Sequence, residues 1–231
     1  MRIITDEARI AKGARLGKIA TLVGLGFLVG GLIISLALQE TPLLWLSFGC
    51  LLIGLVISSI GTGNMNRWVR EPRADQALAQ GLKGFDDRYC LYNYTLPAPH
   101  VLLGPMGLYV LTALGQDGAI RYEGGKFHRD FSMMRVLRFM AEEGMGKPLS
   151  EADAQVEDLQ AFLNDNDAGE GIEIQNMLVF YNPRAELEVS APPRPVITPK
   201  GLKKAIRKQG DTKLPSEQIE ELQALFEAEE D

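Results

Sequence analysis

The chain has 231 residues, 46% of them hydrophobic, with 24 Lys and Arg against 30 Asp and Glu and two cysteines. That length holds one large domain, or a smaller one with appendages, and two cysteines cannot form a disulfide framework. The charge is uneven: residues 1–73 carry 8 Lys and Arg against 4 Asp and Glu, whereas residues 74–231 carry 16 against 26, an acidic balance that disfavours general polyanion binding.

Residues 1–18 read as a basic N-terminal segment containing Arg2, Arg9, Lys12, Arg15 and Lys18. Ile19 to Leu38 is then 20 residues without a charge, about 30 Å of helix and so the thickness of a bilayer core. A second charge-free run, Leu43 to Ile60, opens an expected span over 43–62. The first run exceeds the roughly 7–15 apolar residues of a signal peptide and a second span follows at once, which argues against a cleaved leader ending near Ser35-Leu36-Ala37. A buried soluble hairpin is disfavoured because neither run has a polar face. Residues 19–62 therefore predict a transmembrane helical hairpin, with glycines such as Gly24, Gly31 and Gly54 letting the backbones approach closely.

The flanks orient this hairpin. Basic residues stand before the first span, and Arg67, Arg70 and Arg73 lie in the juxtamembrane linker 63–73, whereas the connecting turn carries Glu40 and no Lys or Arg. This asymmetry predicts a multi-pass cell-membrane protein with both termini and the soluble domain in the cytoplasm. Trp45 and Trp68 sit near the ends of the second span, where amphipathic rings favour the interface. Cys50 in that span and Cys90 beyond it are expected to serve packing.

The soluble part alternates between periods. A helix is expected over Ala74–Gly84, a strand over Tyr89–Leu96, and two strands, His100–Leu103 and Leu108–Leu114, around the turn Gly104-Pro105-Met106-Gly107. An antiparallel hairpin follows, Ala119–Tyr122 with Lys126–His128. Helical spacing returns at Phe131–Ala141, which could lie in the core or on the membrane. It returns again at Ser150–Leu163, with Ser150 as the expected cap and Val156, Leu159, Phe162 and Leu163 facing inward. After a polar loop, Ile174–Tyr181 reads as a strand stopped by Asn182-Pro183, and Glu186–Ser190 as a short further strand. Thr198 is the expected cap of a basic helix through Gln209, and residues 210–231 form an acidic tail with a helix over Ser216–Glu227.

In this order, HVLLGPMGLYVL, the helix entered by Gly146-Lys147-Pro148-Leu149, and MLVFYNPRAELEV together resemble the nuclease-related domain (NERD) family, a branch of the PD-(D/E)xK restriction-endonuclease-like fold. The resemblance covers roughly Ala74–Arg207, with the domain drawn over 74–209. The expected architecture is thus an N-terminal two-helix transmembrane hairpin followed by an α/β (α+β) restriction-endonuclease-like cytoplasmic domain.

The resemblance implies an Asp and a Glu holding Mg²⁺, with a Lys one residue beyond the Glu, so that Glu and Lys share one face of a strand. The Asp belongs just before His100, where this chain has Pro99, and the Glu-x-Lys belongs on the following strand, where it has Thr112-Ala113-Leu114. Between Leu91 and Gln116 there is no Asp, Glu, Lys or Arg. Displaced candidates are Asp117, Glu123 and Lys126, although Asp117-Gly118 and Glu123-Gly124-Gly125 also read as turns. His100 and His128 have no partners at metal-ligand spacing, and no phosphate loop, dinucleotide fingerprint or nucleophile elbow is present. No cofactor and no bound metal is therefore expected.

The expected function is binding or scaffolding by a non-catalytic, membrane-anchored nuclease-fold domain. The alternatives are a Mg²⁺-dependent nuclease with relocated ligands and a structural subunit of an oligomeric membrane assembly. The expected partners are the membrane and a protein partner or further copies of the chain. Lys200, Lys203, Lys204 and Arg207 lie close together on a helical surface, which suits a weak contact to anionic lipid or nucleic acid, each cation near an anionic leaflet contributing about 1 kcal/mol. The competing reading is a solvated face balanced by the acidic tail.

Overall fold

A computed structural model describes residues 1–37, 41–129, 145–208 and 214–228, in two compact units. One unit contains the long apolar helices. α1 runs over Glu7–Ala37 and α2 over Thr41–Trp68, both long and apolar enough to cross a membrane. They pack antiparallel along small residues: a Cβ on Gly24 would lie 2.6 Å from the Ser58 backbone nitrogen, and one on Gly61 2.6 Å from that of Thr21. Gly17, Gly24 and Gly31 recur every seven residues on the buried face of α1, the repeat that keeps two supercoiling helices in contact. Buried Ser47 closes the seam by donating to the Gly31 carbonyl at 2.8 Å. The outward side is apolar, and every exposed large hydrophobic side chain among the described residues except Ile3 lies between Leu16 and Ile60.

The other unit is built on a six-stranded mixed sheet in the order β1-β2-β3-β4-β7-β9. Its strands are β1 (Arg2–Thr5), β2 (Cys90–Asn93), β3 (His100–Gly104), β4 (Gly107–Leu114), β7 (Ile174–Phe180) and β9 (Val196–Ile197). β2, β3 and β4 form an antiparallel meander; β1 lies parallel to β2, β7 parallel to β4 and β9 parallel to β7. The turn between β3 and β4 is specific to its glycines, since a Cβ on Gly104 would meet the Tyr89 ring at 2.2 Å and Gly107 sits at φ +125°.

Alternation along the strands divides the core between two helical layers. Leu91, Leu102, Tyr109, Leu111, Met177 and Val179 pack on α3 (Ala74–Gly81) and on α5 (Pro199–Lys208), which contributes Leu202 and Ile206. The opposite residues, among them Tyr92, Val101, Leu103, Leu108 and Val110, pack on α4 (Pro148–Asp165) and α6 (Ser216–Ala228). A second sheet, in the order β6-β5-β8, joins β5 (Gly118–Glu123) to β6 (Lys126–Arg129) and β8 (Ala185–Val189). Ile120 and Phe127 of this sheet pack with Leu114, Leu178 and Phe180.

Several expectations change. Residues 1–18 are not one basic segment: Arg2–Thr5 pair with β2, and α1 already begins at Glu7. The strand expected over Tyr89–Leu96 ends at Asn93, because Tyr94 turns the chain at φ +65° and its N–H donates to the Pro99 carbonyl at 2.7 Å. The helix expected to open at Ser150 opens at Pro148, with Lys147 in the cap position and no side-chain cap bond; proline's fixed φ and missing N–H suit a first helical position. The acidic C-terminal helix, drawn as its own segment over 210–231, is present over Ser216–Ala228 but belongs to the domain, since Ile219, Leu222 and Phe226 fill the α4 side of the core. The expected helix over Phe131–Ala141 and the Glu40 turn lie outside the described residues.

Candidate functional site

The β3–β4 pairing decides where lost ligands would have met. Val101 faces Val110 and Leu103 faces Leu108. Thr112 and Leu114 fall on the face of β4 that Val110 presents to α4, whereas Pro99 lies in the bend that precedes β3. None of the three positions expected for Mg²⁺ chemistry carries a carboxylate or an amine.

Other bonds fill that place. Thr112 is fully buried, and its hydroxyl donates to Gln155 Oε1 of α4 at 2.9 Å. It accepts from Asn176 Nδ2 of β7 at 3.0 Å, and the same amide also reaches the Val110 carbonyl at 3.2 Å. One buried hydroxyl therefore spends its proton on the covering helix and a lone pair on the neighbouring strand. The buried Asn176 Oδ1 has no hydrogen-bond partner among the described residues. Leu114 packs with Ala152 of α4, sealing the next position on the strand. Gln155 and Asn176 had not been singled out from the sequence. Asn176 was detectable as the amide inside the apolar run IQNMLVF, because a buried polar side chain on a strand needs partners.

His100 belongs to the core. Its Nδ1–H donates to Asn93 Oδ1 at 2.9 Å, Asn93 donates in turn to Thr5 Oγ1 at 3.1 Å, and the Tyr94 ring stands edge-on at 4.8 Å. The buried polar chain ties β3 to β2 and β1. Burial also pushes the Tyr109 hydroxyl up to about 12 and the Cys90 thiol above its ordinary range, so both stay protonated and inert near neutrality.

The displaced candidates do not assemble. Asp117 is held by Arg129, whose Nη2 bonds the carboxylate and whose Nε donates to the Asp117 carbonyl at 2.8 Å, with both side chains largely buried. Glu123 and Lys126 face each other across the β5–β6 turn, where Gly124 and Gly125 take φ values of +58° and +79°. β5 separates Asp117 from Glu123, and six residues of strand span roughly 20 Å, far beyond a shared metal shell. Among the described residues no three His, Cys, Asp or Glu are grouped to hold a metal. Lys200, Lys203, Lys204 and Arg207 all lie on α5.

The ends of the site are tied by the Asn182-Pro183 turn. Tyr181 N–H donates to the Leu114 carbonyl at 3.0 Å and Asn182 Nδ2 to the Gly115 carbonyl at 2.9 Å, so β4 and β7 remain locked beyond their last pair. No family model, curated protein or solved structure matches the chain.

Proposed function

We propose that this chain is a membrane-anchored, non-catalytic domain of the nuclease fold that works by binding or scaffolding on the cytoplasmic side. The observation that carries the proposal is Thr112. At the place where the resemblance calls for a carboxylate ligand stands a fully buried hydroxyl bonded to Gln155 of the covering helix and to Asn176. A neutral hydroxyl holds Mg²⁺ far more weakly than a carboxylate. The order α3, antiparallel β2-β3-β4, α4 and then β7 parallel to β4 supports the fold assignment. The apolar exterior of α1 and α2 supports anchoring, since leaving such side chains in water costs about 1.5–3 kcal/mol each relative to burial. The flanking positive charges support the inside orientation.

The test is cleavage by the full chain in detergent, on duplex DNA, single-stranded DNA and RNA with Mg²⁺ or Mn²⁺. No metal-dependent product is expected. Cleavage that disappears in Asp117→Ala, Glu123→Ala or Lys126→Ala would replace this reading with a relocated active site. Orientation is tested separately, with single cysteines in a Cys50→Ser, Cys90→Ser background. Membrane-impermeant labelling of intact cells should reach Glu40→Cys and spare Asp86→Cys and Glu220→Cys; the reverse pattern would invert the topology.

A further inference from the structure

Two sets stand out among the cations of the sheet unit, with Lys83, Lys126, Lys147 and Arg184 outside both. Arg2, Arg88, Arg121, Arg129 and Arg194 each meet a carboxylate, on Glu227, Asp86, Glu188, Asp117 and Asp153 respectively. Lys200, Lys203, Lys204, Arg207 and Lys208 stand on one ten-residue helix without an acidic residue, and among the described residues none of them forms an ion pair. Leu202 and Ile206 are fully buried and so fix the rotation of α5, which leaves Lys200, Lys204, Arg207 and Lys208 exposed. The flank is ordered as well: Lys203 and Arg207 each lie 5.7 Å from the Phe85 ring, and Lys203 Nζ donates to the Lys83 carbonyl at 3.2 Å, bringing a sixth cation alongside.

Like charges three and four residues apart on a helix repel one another, and Lys200, Lys204 and Lys208 repeat that spacing with Lys203 and Arg207 beside them. The domain carries an excess of acids, yet among the described residues no carboxylate pairs with this face, which leaves it open to an anionic surface. We propose that the exposed face of α5 docks on the anionic headgroups of the membrane that holds the hairpin, an inference that rests on the anchored reading above. A planar headgroup layer can be engaged by one helix face, whereas a nucleic acid is longer than a helix of only about 15 Å and is disfavoured by the domain's acidic balance. Connectivity favours the lipid further. Only Asp6 separates β1 from α1, and residues 69–73 separate α2 from α3, a link of at most about 18 Å. Joined to the hairpin within one chain, the sheet unit needs only a weak affinity for the headgroups to dock.

The proposal is tested on the full chain in nanodiscs of phosphatidylcholine alone and of phosphatidylcholine with about one third phosphatidylglycerol, using brief lysine acylation read by mass spectrometry. Lys200, Lys204 and Lys208 are expected to react about fivefold more slowly in the anionic discs, the difference collapsing at about 0.5 M salt. Lys126 and Lys147, exposed elsewhere, serve as references and keep their rates. In the triple variant Lys200→Glu, Lys204→Glu, Arg207→Glu, Lys208 should react equally in both discs. Equal labelling of the unmodified chain in discs that have incorporated it overturns the docking and leaves the anchor standing. Failure to enter either disc removes the anchor and the docking together. Protection by an oligonucleotide in neutral discs, without protection by anionic lipid, reassigns the face to nucleic acid and overturns the proposal.

Discussion

The two units use glycine and leucine in opposite senses. In the α1–α2 hairpin the contact face is Gly17, Gly24, Gly31, Gly54 and Gly61 with Thr21, Ser47 and Ser58, and the large side chains Leu22, Leu36 and Leu52 point outward. In the sheet unit the large side chains Leu102, Leu103, Leu108 and Leu111 are fully buried, and charges cover the outside. The difference is one of driving force. Water expels the leucines of the sheet unit into a core. In the anchored reading proposed above the hairpin lies in hydrocarbon, where there is no such gain and contact comes from close backbone approach and hydrogen bonds. The same residue type therefore predicts burial or exposure only after the solvent has been identified.

The largest expected effect tests whether the sheet unit extends to the end of the described chain. Phe226 of α6 is almost fully buried, stands edge-on to Tyr92 at 5.2 Å and touches Phe162. Phe226→Ala should cost the soluble unit about 3–5 kcal/mol through lost burial and the cavity left behind, read as a shift in the denaturant midpoint of its near-ultraviolet circular dichroism. A change below about 1 kcal/mol would mean that α6 is an appendage.

Next in size is a paired test of the hairpin. Gly24→Leu places a Cβ against the Ser58 backbone, whereas a Cβ at Gly26 on the same helix meets nothing within 4 Å, so Gly26→Leu starts from open space. Overpacking the first should weaken the association of the helices by about 1–3 kcal/mol, while the second should be nearly neutral. The measurement is the resistance of the paired helices to dodecyl sulfate, read by energy transfer between dyes on the outward positions Leu22→Cys and Val56→Cys in a background without Cys50 and Cys90. Equal losses from both variants would mean that the glycine seam is misplaced.

How legible these features were in the sequence follows the same division. The hairpin is legible because its signal is local and continuous, and β3 and β4 are legible because apolar strands flank a Gly-Pro-x-Gly turn. β1 was missed because Arg2-Ile3-Ile4-Thr5 is short and its partner β2 lies nearly 90 residues away in the chain. β9 is two residues long and too short to show a period. The helix over Ser216–Glu227 was legible, but its acidic residues set it apart from the domain, and the packing of Ile219, Leu222 and Phe226 on the sheet depends on tertiary contacts. At the site, the emptiness of Pro99, Thr112 and Leu114 could be read directly from their identities. The closure by Gln155 and Asn176 could not, because it depends on α4 and β7 reaching Thr112 from residues 43 and 64 positions away.

The smallest expected effect concerns the two arginines of the β6-β5-β8 sheet. Arg121 pairs with Glu188 at 2.8 Å, but the two side chains remain 43% and 57% exposed, whereas Arg129 and Asp117 are 11% and 16% exposed. In the exposed pair, water already satisfies both charges, and ordering two long side chains cancels most of the attraction, so Arg121→Ala should change stability by at most about 1 kcal/mol. Removing Arg129 leaves the Asp117 carboxylate in a largely buried place without its cation, which is the more damaging operation. Raising the salt concentration distinguishes the two: the small Arg121 contribution should vanish in about 1 M salt, where the screening length is roughly 3 Å, while the Asp117–Arg129 contact should persist. Comparable destabilisation by Arg121→Ala and Arg129→Ala at both salt concentrations would show that burial does not rank these pairs, and the claim that Asp117 is committed to the fold rather than free for chemistry would fall with it.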